Sequence, residues 1–222
     1  YPMVSAPGMP ALAIPLLRDG CEDTDVDESW VIEALTERKP ARTGLSIDAV
    51  RREVVGWFGP EALGGFLGPA RTETERLARD WLGEAGKRWR PVLAACAYRA
   101  LAEKPDSPDL PRVAVAAECF HKASLIHDDI EDNDSLRYGR PTLHVRHGVP
   151  IALNLDDFLL GEGYRLLAEC DADPAVRAGL LAAAAEGHRD LSLGQGGELC
   201  WRRDAAPMTP EQVERIFRLK TA

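Results

Sequence analysis

Apolar residues recur at the spacing of an amphipathic helix through most of the chain after residue 45. Ser46 is suited to cap the first of these helices, in which Ile47, Val50 and Val54 share one face. The same periodicity predicts later helices at 73–82, 91–102, 111–129, 149–169 and 174–193, and another that opens at Thr209. No segment alternates apolar and polar residues as a half-buried strand does. The pattern therefore predicts an all-α fold, a bundle of long helices.

The first 45 residues have a different character. They are rich in Pro, Gly and acidic residues, with one short helical possibility at 28–36. We therefore predict a partly flexible N-terminal extension at 1–45 and one helical domain at 46–222. The chain has 222 residues, of which 45% are hydrophobic, and this is enough apolar material for one sizeable core.

Charge and cysteine content narrow the range of partners. The net charge of -9 argues against a protein that grips nucleic acid, because that function needs a basic surface. The five cysteines are an odd number without the spacing of a zinc site, which favours a reducing compartment. No apolar run approaches the roughly 20 residues of a membrane helix. We therefore expect a cytoplasmic protein with no nucleic acid partner and no membrane span.

An acidic cluster ends the helix predicted at 111–129. Five of the seven residues from 128 to 134 are acidic, and Asp128 and Asp132 lie four positions apart on one helix face. Like charges at this spacing repel each other unless a cation lies between them, and carboxylate oxygens suit Mg2+. His121 and Ser124 fall on the same face, so a polar stripe is predicted to face a ligand-filled central cavity. A solvated helix end is the alternative interpretation.

A basic turn precedes the helix predicted at 91–102. Lys87, Arg88 and Arg90 place three cations within four residues at a helix start, where backbone N–H groups also favour anions. This turn is a candidate cradle for a diphosphate, although a solvated basic turn is possible. Arg137, Arg140 and His144 follow the acidic cluster and are further candidates for anion contacts.

Five ordered motifs resemble one protein family, the trans-isoprenyl diphosphate synthases, also called polyprenyl synthetases. The motifs are GKRWRP at 86–91, HKASLIHDDIED at 121–132, LRYGRPTLH at 136–144, GQG at 194–196 and KT at 220–221. The resemblance covers about residues 80 to 222. It implies a helical bundle around a central cavity and a magnesium-dependent prenyltransferase, which condenses isopentenyl diphosphate with an allylic diphosphate into a longer trans-polyprenyl diphosphate. It also implies a homodimer.

The resemblance assigns roles residue by residue. It implies that the diphosphate of isopentenyl diphosphate is held by Lys87, Arg90 and His121. It implies that Mg2+ is bound by Asp128 and Asp132, and that the allylic diphosphate is contacted by Arg137, Lys220 and Thr221. The catalytic set is then Asp128, Asp132, Arg137 and Lys220. Metal and cations would offset the negative charge that builds on the leaving diphosphate.

Product length in this family depends on the side chains below the metal site. Ala123 and Ser124 are small and lie just before Asp128, whereas the bulky Phe120 lies one turn further back. The resemblance therefore makes Phe120, Ala123 and Ser124 the chain-length pocket. We expect products of medium or greater length.

The sequence departs from the family pattern at three places. Tyr138 stands where a second arginine is usual, and Asp156 stands where glycine is usual. The chain also ends at Ala222, before the second aspartate-rich motif, so we expect these 222 residues alone to be impaired or inactive. Three alternatives stay open: a catalytically silent regulatory subunit of a heteromeric prenyl synthase, a class I terpene cyclase, and a helical scaffold without a ligand.

Overall fold

The computed structural model describes residues 46–84, 86–102 and 107–221, and the predicted extension at 1–45 lies outside this part. The helices are α1 (Ile47–Gly56), α2 (Pro60–Leu67), α3 (Glu73–Gly83), α4 (Trp89–Leu101), α5 (Asp109–Glu131), α6 (Leu143–His147), α7 (Val149–Ala168), α8 (Pro174–Arg203) and α9 (Pro210–Thr221). A short hairpin, β1 (Leu136–Arg137) and β2 (Arg140–Pro141), lies between α5 and α6.

The all-α fold is confirmed, and so are the predicted helices within a few residues at their ends. Ser46 caps α1 by accepting a hydrogen bond from the backbone N–H of Ala49, as its sequence position predicts. The helix predicted at 174–193 is too short, because α8 continues for ten more residues to Arg203. The two shorter helices, α2 and α6, and the hairpin were not predicted. None of the described helices is long and apolar enough to cross a membrane.

Helices α5 and α7 form the centre of the bundle and run antiparallel. His127 meets Asp156 near one end of the pair, Phe120 meets Gly163 in the middle, and Arg112 donates to the backbone oxygen of Glu169 at the other end. The side chains between them are fully buried and mostly small on α5: Ala114, Val115, Ala116, Cys119 and Ala123, with Leu155, Leu159 and Leu166 on α7. Burying one leucine contributes about 1.5–3 kcal/mol, so this seam fixes the relative position of the two helices.

The hairpin after α5 turns through two residues with positive φ. Tyr138 has φ 53° and Gly139 has φ 75°, as a two-residue turn of type I′ requires. Glycine adopts this conformation readily, whereas tyrosine does so at a cost of about 1–2 kcal/mol. This cost is partly offset by packing of the Tyr138 ring, whose centroid lies 6.4 Å from that of Trp81 on α3. The hairpin is therefore held against α3 and α5.

Helix α9 packs closely on α8 because Gly194 has no side chain. A Cβ atom at Gly194 would lie 2.8 Å from Cβ of Leu219 and 2.9 Å from the backbone nitrogen of Lys220. The capping box at the start of α9 is present, since Thr209 N–H donates to the Gln212 side chain and Gln212 N–H to the Thr209 hydroxyl. Gly194 therefore determines where Lys220 lies.

Replacing Gly194 by Ala should destabilise the docking of α9. The added methyl group would overlap Leu219 and Lys220, and overpacking of this kind costs about 1–3 kcal/mol. Amide hydrogen exchange of residues 210–221 and urea denaturation measure the loss.

Gly196→Ala is the matched control, because a Cβ there meets nothing within 4 Å. In a helix this change should stabilise the chain by about 1 kcal/mol. Equal protection of α9 in the wild type and in Gly194→Ala would contradict the packing described above.

Candidate active site

A cavity of about 470 Å³ lies among α4, α5, α7, α8 and α9. Six residues singled out from the sequence line it: Arg90, Phe120, His121, Ser124, Asp128 and Lys220. Four of them come from α5, whose polar stripe faces the cavity as the helical spacing predicts. The structure therefore brings acidic and basic candidates to one cavity.

The other candidates are not among the described residues that line this cavity. Lys87 is exposed in the turn before α4, and Ala123 is fully buried in the apolar core. Asp132 and Arg137 are engaged in ion pairs beside the cavity mouth. Thr221 ends α9, and its side chain lies outside the described part of the chain.

The acidic end of the cavity centres on Asp128. Burial raises the pKa of its carboxyl group above the usual range, the charges of Lys220 and Arg137 oppose this, and Asp132 and Glu131 add to it. Glu131 accepts a hydrogen bond of 2.6 Å from the Gln195 amide on α8. The raised pKa means that Asp128 is a partly desolvated acid, which a nearby cation would stabilise as a carboxylate.

Asp128 and Asp132 lie one helical turn apart, a spacing at which two carboxylates could hold a divalent cation. Asp128 faces the cavity, and Asp132 is the C-cap residue of α5, where its carboxylate pairs with Arg202 of α8. Within the described residues no three His, Cys, Asp or Glu side chains form a ready metal site. A cation here would therefore take two protein carboxylates and complete its oxygen shell from a substrate or water, as Mg2+ commonly does.

The pair of His127 and Asp156 lies next to the acidic end. Nε2 of His127 is 3.0 Å from Oδ2 of Asp156, whose side chain is fully buried in the cavity wall. This contact raises the pKa of His127 above its usual value, while burial opposes the rise. The distance fits an ion pair, and neither carboxylate oxygen of Asp156 has a hydrogen-bond partner within the described part of the chain. We take the contact as electrostatic, because the separation is short and the carboxylate is desolvated.

The basic side of the cavity centres on Arg90 and His121. Nη1 of Arg90 lies 3.1 Å from Nε2 of His121, and burial lowers the pKa of both groups. For His121 the pKa falls to about 4, first because of burial and then because the cations Arg90, Lys122, Arg137 and Arg88 repel a further positive charge. His121 is therefore neutral at pH 7, and the surrounding cations give this region a positive potential, which Glu118 and Asp129 reduce by pairing with Arg88 and Arg137.

Lys220 reaches the cavity from α9. Its ammonium donates to the Glu198 carboxylate at 2.6 Å, and Glu198 also pairs with Arg202. These contacts lower the pKa of Glu198 below its usual value, chiefly through the hydrogen bond from Lys220. Arg202 in turn reaches Asp132, so α8 and α9 are tied to the end of α5 by charged groups.

Phe120 lies toward the end of the cavity away from Asp128, here called its floor, and packs against a second aromatic ring. The ring of Phe120 meets that of Tyr164 edge to face at 4.9 Å, and the Tyr164 hydroxyl lies 3.1 Å from Nδ1 of His188. Gly163 allows this arrangement, because a Cβ there would lie 2.8 Å from the Phe120 ring. Eight residues of α5 separate Asp128 from Phe120, so the floor lies about 12 Å from the acidic end.

The buried ion pairs near the site were not predicted from the sequence, although Arg88 was included in the basic turn. Arg88 is almost fully buried and pairs with Glu118 at 2.6 Å, and Asp129 is buried and pairs with Arg137 at 2.5 Å. Lys122 is fully buried beside His121. The usable signal was a set of charged residues on the apolar faces of a helix, where each needs a buried partner.

Comparison with known proteins identifies the family to which the chain belongs. Residues 71–222 match the family described as polyprenyl synthetase. The chain is 38% identical over 147 residues to the farnesyl diphosphate synthase of Geobacillus stearothermophilus, a match that covers 63% of this chain and 48% of that protein. It is 39% identical over 99 residues to the geranylgeranyl pyrophosphate synthase of Geoglobus acetivorans, covering 45% of this chain and 30% of that protein. The chain therefore spans at most about half the length of these curated relatives.

Solved structures show the same fold. An FPP/GFPP synthase from Zymomonas mobilis superposes with a TM-score of 0.70 at 30% identity, over 79% of this chain and 65% of that one. The geranylgeranyl pyrophosphate synthetase of Geoglobus acetivorans superposes with a TM-score of 0.69 at 27% identity, over 78% of this chain and 55% of that one.

Replacing His121 by Gln should flatten the dependence of the free energy of unfolding on pH between about 6.5 and 4. Folded His121 has a pKa of about 4, whereas in the unfolded chain it has its ordinary value. As pH falls through this window the unfolded chain binds a proton that folded His121 does not, so stability falls by up to about 1.4 kcal/mol per pH unit. Urea denaturation across this range, with the titration of His121 followed by NMR, measures the effect.

The same substitution at His147 is the control, because this histidine lies on α6 and is not among the described cavity residues. An unchanged pH slope in His121→Gln, or protonation of His121 near its ordinary pKa, would refute the positive potential assigned to this region.

Proposed function

Because the chain belongs to the polyprenyl synthetase family, we propose that the intact protein condenses isopentenyl diphosphate with an allylic diphosphate into a longer trans-polyprenyl diphosphate. One observation carries this proposal: α5 presents a cationic region around His121 and an acidic end at Asp128 to the same cavity. Seven residues separate them, or about 10 Å along the helix. This arrangement suits two diphosphates, one bound directly by cations and the other through a metal ion.

On the cationic side, Arg90 and His121 bind the diphosphate of isopentenyl diphosphate. An arginine matches phosphate oxygens with two parallel N–H donors, and the neutral His121 can donate one hydrogen bond. Lys87 lies exposed at the start of the same turn and adds a third contact from the solvent side. An anion bound here would offset the repulsion among the surrounding cations. We therefore expect this region to bind a diphosphate in preference to an uncharged ligand.

On the acidic side, Asp128 and Asp132 would hold Mg2+ together with the allylic diphosphate. When bound, the metal supplies a Lewis acid that offsets charge on the leaving diphosphate. Lys220 faces the same space and neutralises part of that charge, and Arg137 and Thr221 are proposed to assist from the mouth. Arg202 must share Asp132 with the metal, so this ion pair is expected to rearrange when substrate binds.

The hydrocarbon chain of the allylic substrate would extend from Asp128 toward the aromatic floor. Ser124 and Phe120 line this part of the cavity, with Leu160 and Leu191 among its apolar walls. Phe120 is the bulkiest of them and rests on Gly163, so it is the side chain that limits length. Ala123 is buried in the core beside this wall and would act by allowing α5 to pack closely.

The remaining proposals concern the whole protein. We propose a homodimer, for which the exposed apolar side chains of Val149 and Leu153, one turn apart at the start of α7, offer one contact surface. A cytoplasmic location is proposed from the odd number of cysteines. The division into an extension at 1–45 and a catalytic domain from residue 46 is likewise a proposal.

The intact protein should elongate allylic diphosphates with labelled isopentenyl diphosphate only when Mg2+ is present. Asp128→Asn should lower this activity about a hundredfold or more, because a metal ligand and its charge are lost. Products are separated by chain length after incubation with each allylic diphosphate from five to twenty carbons.

Asp190→Asn is the control for the loss of one carboxylate, since Asp190 lies on α8 and is not among the described cavity residues. Elongation that persists without a divalent ion would refute the metal assignment. Absence of elongation with every allylic substrate would instead favour the silent regulatory subunit.

Phe120→Ala should shift the products to greater length. Removing the ring opens the floor above Gly163, and the space gained can hold a further part of the growing chain. Phe66→Ala is the control, because Phe66 packs against the core from α2 and does not border the cavity among the described residues. Unchanged product length in Phe120→Ala would show that the limit lies elsewhere.

A further inference from the structure

Lys122 is a buried cation with little direct compensation. Its side chain is fully enclosed in α5, one residue after His121. Its ammonium lies 4.2 Å from the ring centroid of Trp81 and 5.0 Å from that of Tyr138. The hydrogen bond found for it within the described residues is long, 3.5 Å to the backbone oxygen of Glu84. An ammonium group with three donors is costly in such a place unless something else offsets its charge.

The acidic side chains that act on Lys122, Glu118 and Glu84, already pair with arginines. Glu118 lies one turn before Lys122 on α5 and pairs with the Arg88 guanidinium at 2.6 Å. Arg88 also donates to the backbone oxygens of Leu82 and Glu84, so its charge is well satisfied. Glu118 therefore balances Arg88, and Lys122 adds a positive charge that the two rings only partly stabilise.

The charge of Lys122 acts on the proposed binding site. Lys122 is among the cations that depress the pKa of His121, together with Arg90. The pKa of Lys122 itself falls to about 8, chiefly through burial and then through repulsion by Arg88, so it remains mostly charged near neutral pH. An anion bound at Arg90 and His121 would relieve this repulsion.

Tyr138 lies between this cation and the basic turn. Its ring covers the ammonium of Lys122, and its hydroxyl lies 3.9 Å from where a Cβ of Gly86 would be, at the start of that turn. Tyr138 thus covers Lys122 with an uncharged ring, and it is not among the described residues that line the cavity.

We propose that Lys122 supplies the positive charge for the diphosphate of isopentenyl diphosphate that a cation at position 138 would otherwise provide. The tyrosine ring stabilises the buried ammonium by a cation–π contact and leaves its field directed at the neighbouring His121 and Arg90. The charge is conserved, but its source moves from the hairpin to α5. This inference rests on the proposed function, because it names a further residue of the same substrate site.

The test compares Lys122→Met with Tyr138→Arg and with the double variant. Methionine keeps the shape of the lysine stem and removes a buried charge, so the variant should unfold at the same temperature as the wild type or higher. Calorimetry with isopentenyl diphosphate should show about tenfold weaker binding by Lys122→Met, the loss expected for one charged contact. Adding Tyr138→Arg should restore most of that loss.

Two comparisons separate a charge effect from a packing effect. Binding of geranyl diphosphate with Mg2+ should change by less than about threefold in Lys122→Met, because Asp128 lies six residues or about 9 Å further along α5 and the interaction of two charges weakens with distance. Arg51→Met, which removes an exposed cation on α1, controls for net charge and should leave both affinities unchanged.

The outcomes are distinct. Loss of isopentenyl diphosphate binding in Lys122→Met with rescue by Tyr138→Arg supports the inference. If the methionine variant does not fold, Lys122→Gln takes its place in the same measurements. Unchanged binding, or loss without rescue, overturns it while leaving the proposed function intact. Absence of isopentenyl diphosphate binding by the wild-type protein would overturn the proposed function and this inference with it.

Discussion

One buried guanidinium holds the basic turn in place relative to the rest of the bundle. Arg88 pairs with Glu118 of α5, donates to the backbone oxygens that end α3, and stacks at 4.2 Å over the ring of Phe58. Its backbone is left-handed, with φ 49°, so the chain turns sharply just before α4 begins. Removing one partner of such a buried pair typically costs about 3–5 kcal/mol, because the other charge is left without compensation. The position of Arg90 opposite His121 depends on this contact.

The net charge of the chain is -9, yet the proposed substrates are anions. Anions can nevertheless bind, because positive and negative side chains are segregated along α5. Arg88, Arg90 and Lys122 gather around His121, and the acidic residues follow at the C-terminal end of the same helix. Local potential, and not net charge, decides which groups can bind in a cavity with low-dielectric walls. The acidic end also lies where the helix dipole is negative, which favours a metal ion there over a bare anion.

The sequence predicts the long helices well, because their apolar periodicity and caps are local signals. Prediction from the sequence fails where packing between distant segments determines a helix end or the partner of a side chain. The run of glycines at 194, 196 and 197 favoured a helix end before Gly194, but Gly194 is inside α8 and admits α9 at close range. The cavity residues of α5 share one helix face and could be predicted from spacing alone. Lys122 could not, because its partners Trp81 and Tyr138 come from sequence positions far from it on both sides.

Asp156 divides the cavity into a charged mouth and an apolar floor. Asp156 is fully buried on α7 and pairs with the half-exposed His127. An apolar chain placed here would remove water from the His127 side chain without replacing the lost hydrogen bonds. One turn further along α7 the wall becomes apolar at Leu160, and two turns along it closes at Gly163 under Phe120. Under the proposed function, the reacting diphosphates therefore meet a polar wall and the hydrocarbon meets an apolar one. The depth available to the hydrocarbon is set by the distance between Asp156 and Phe120, not by the length of the whole bundle.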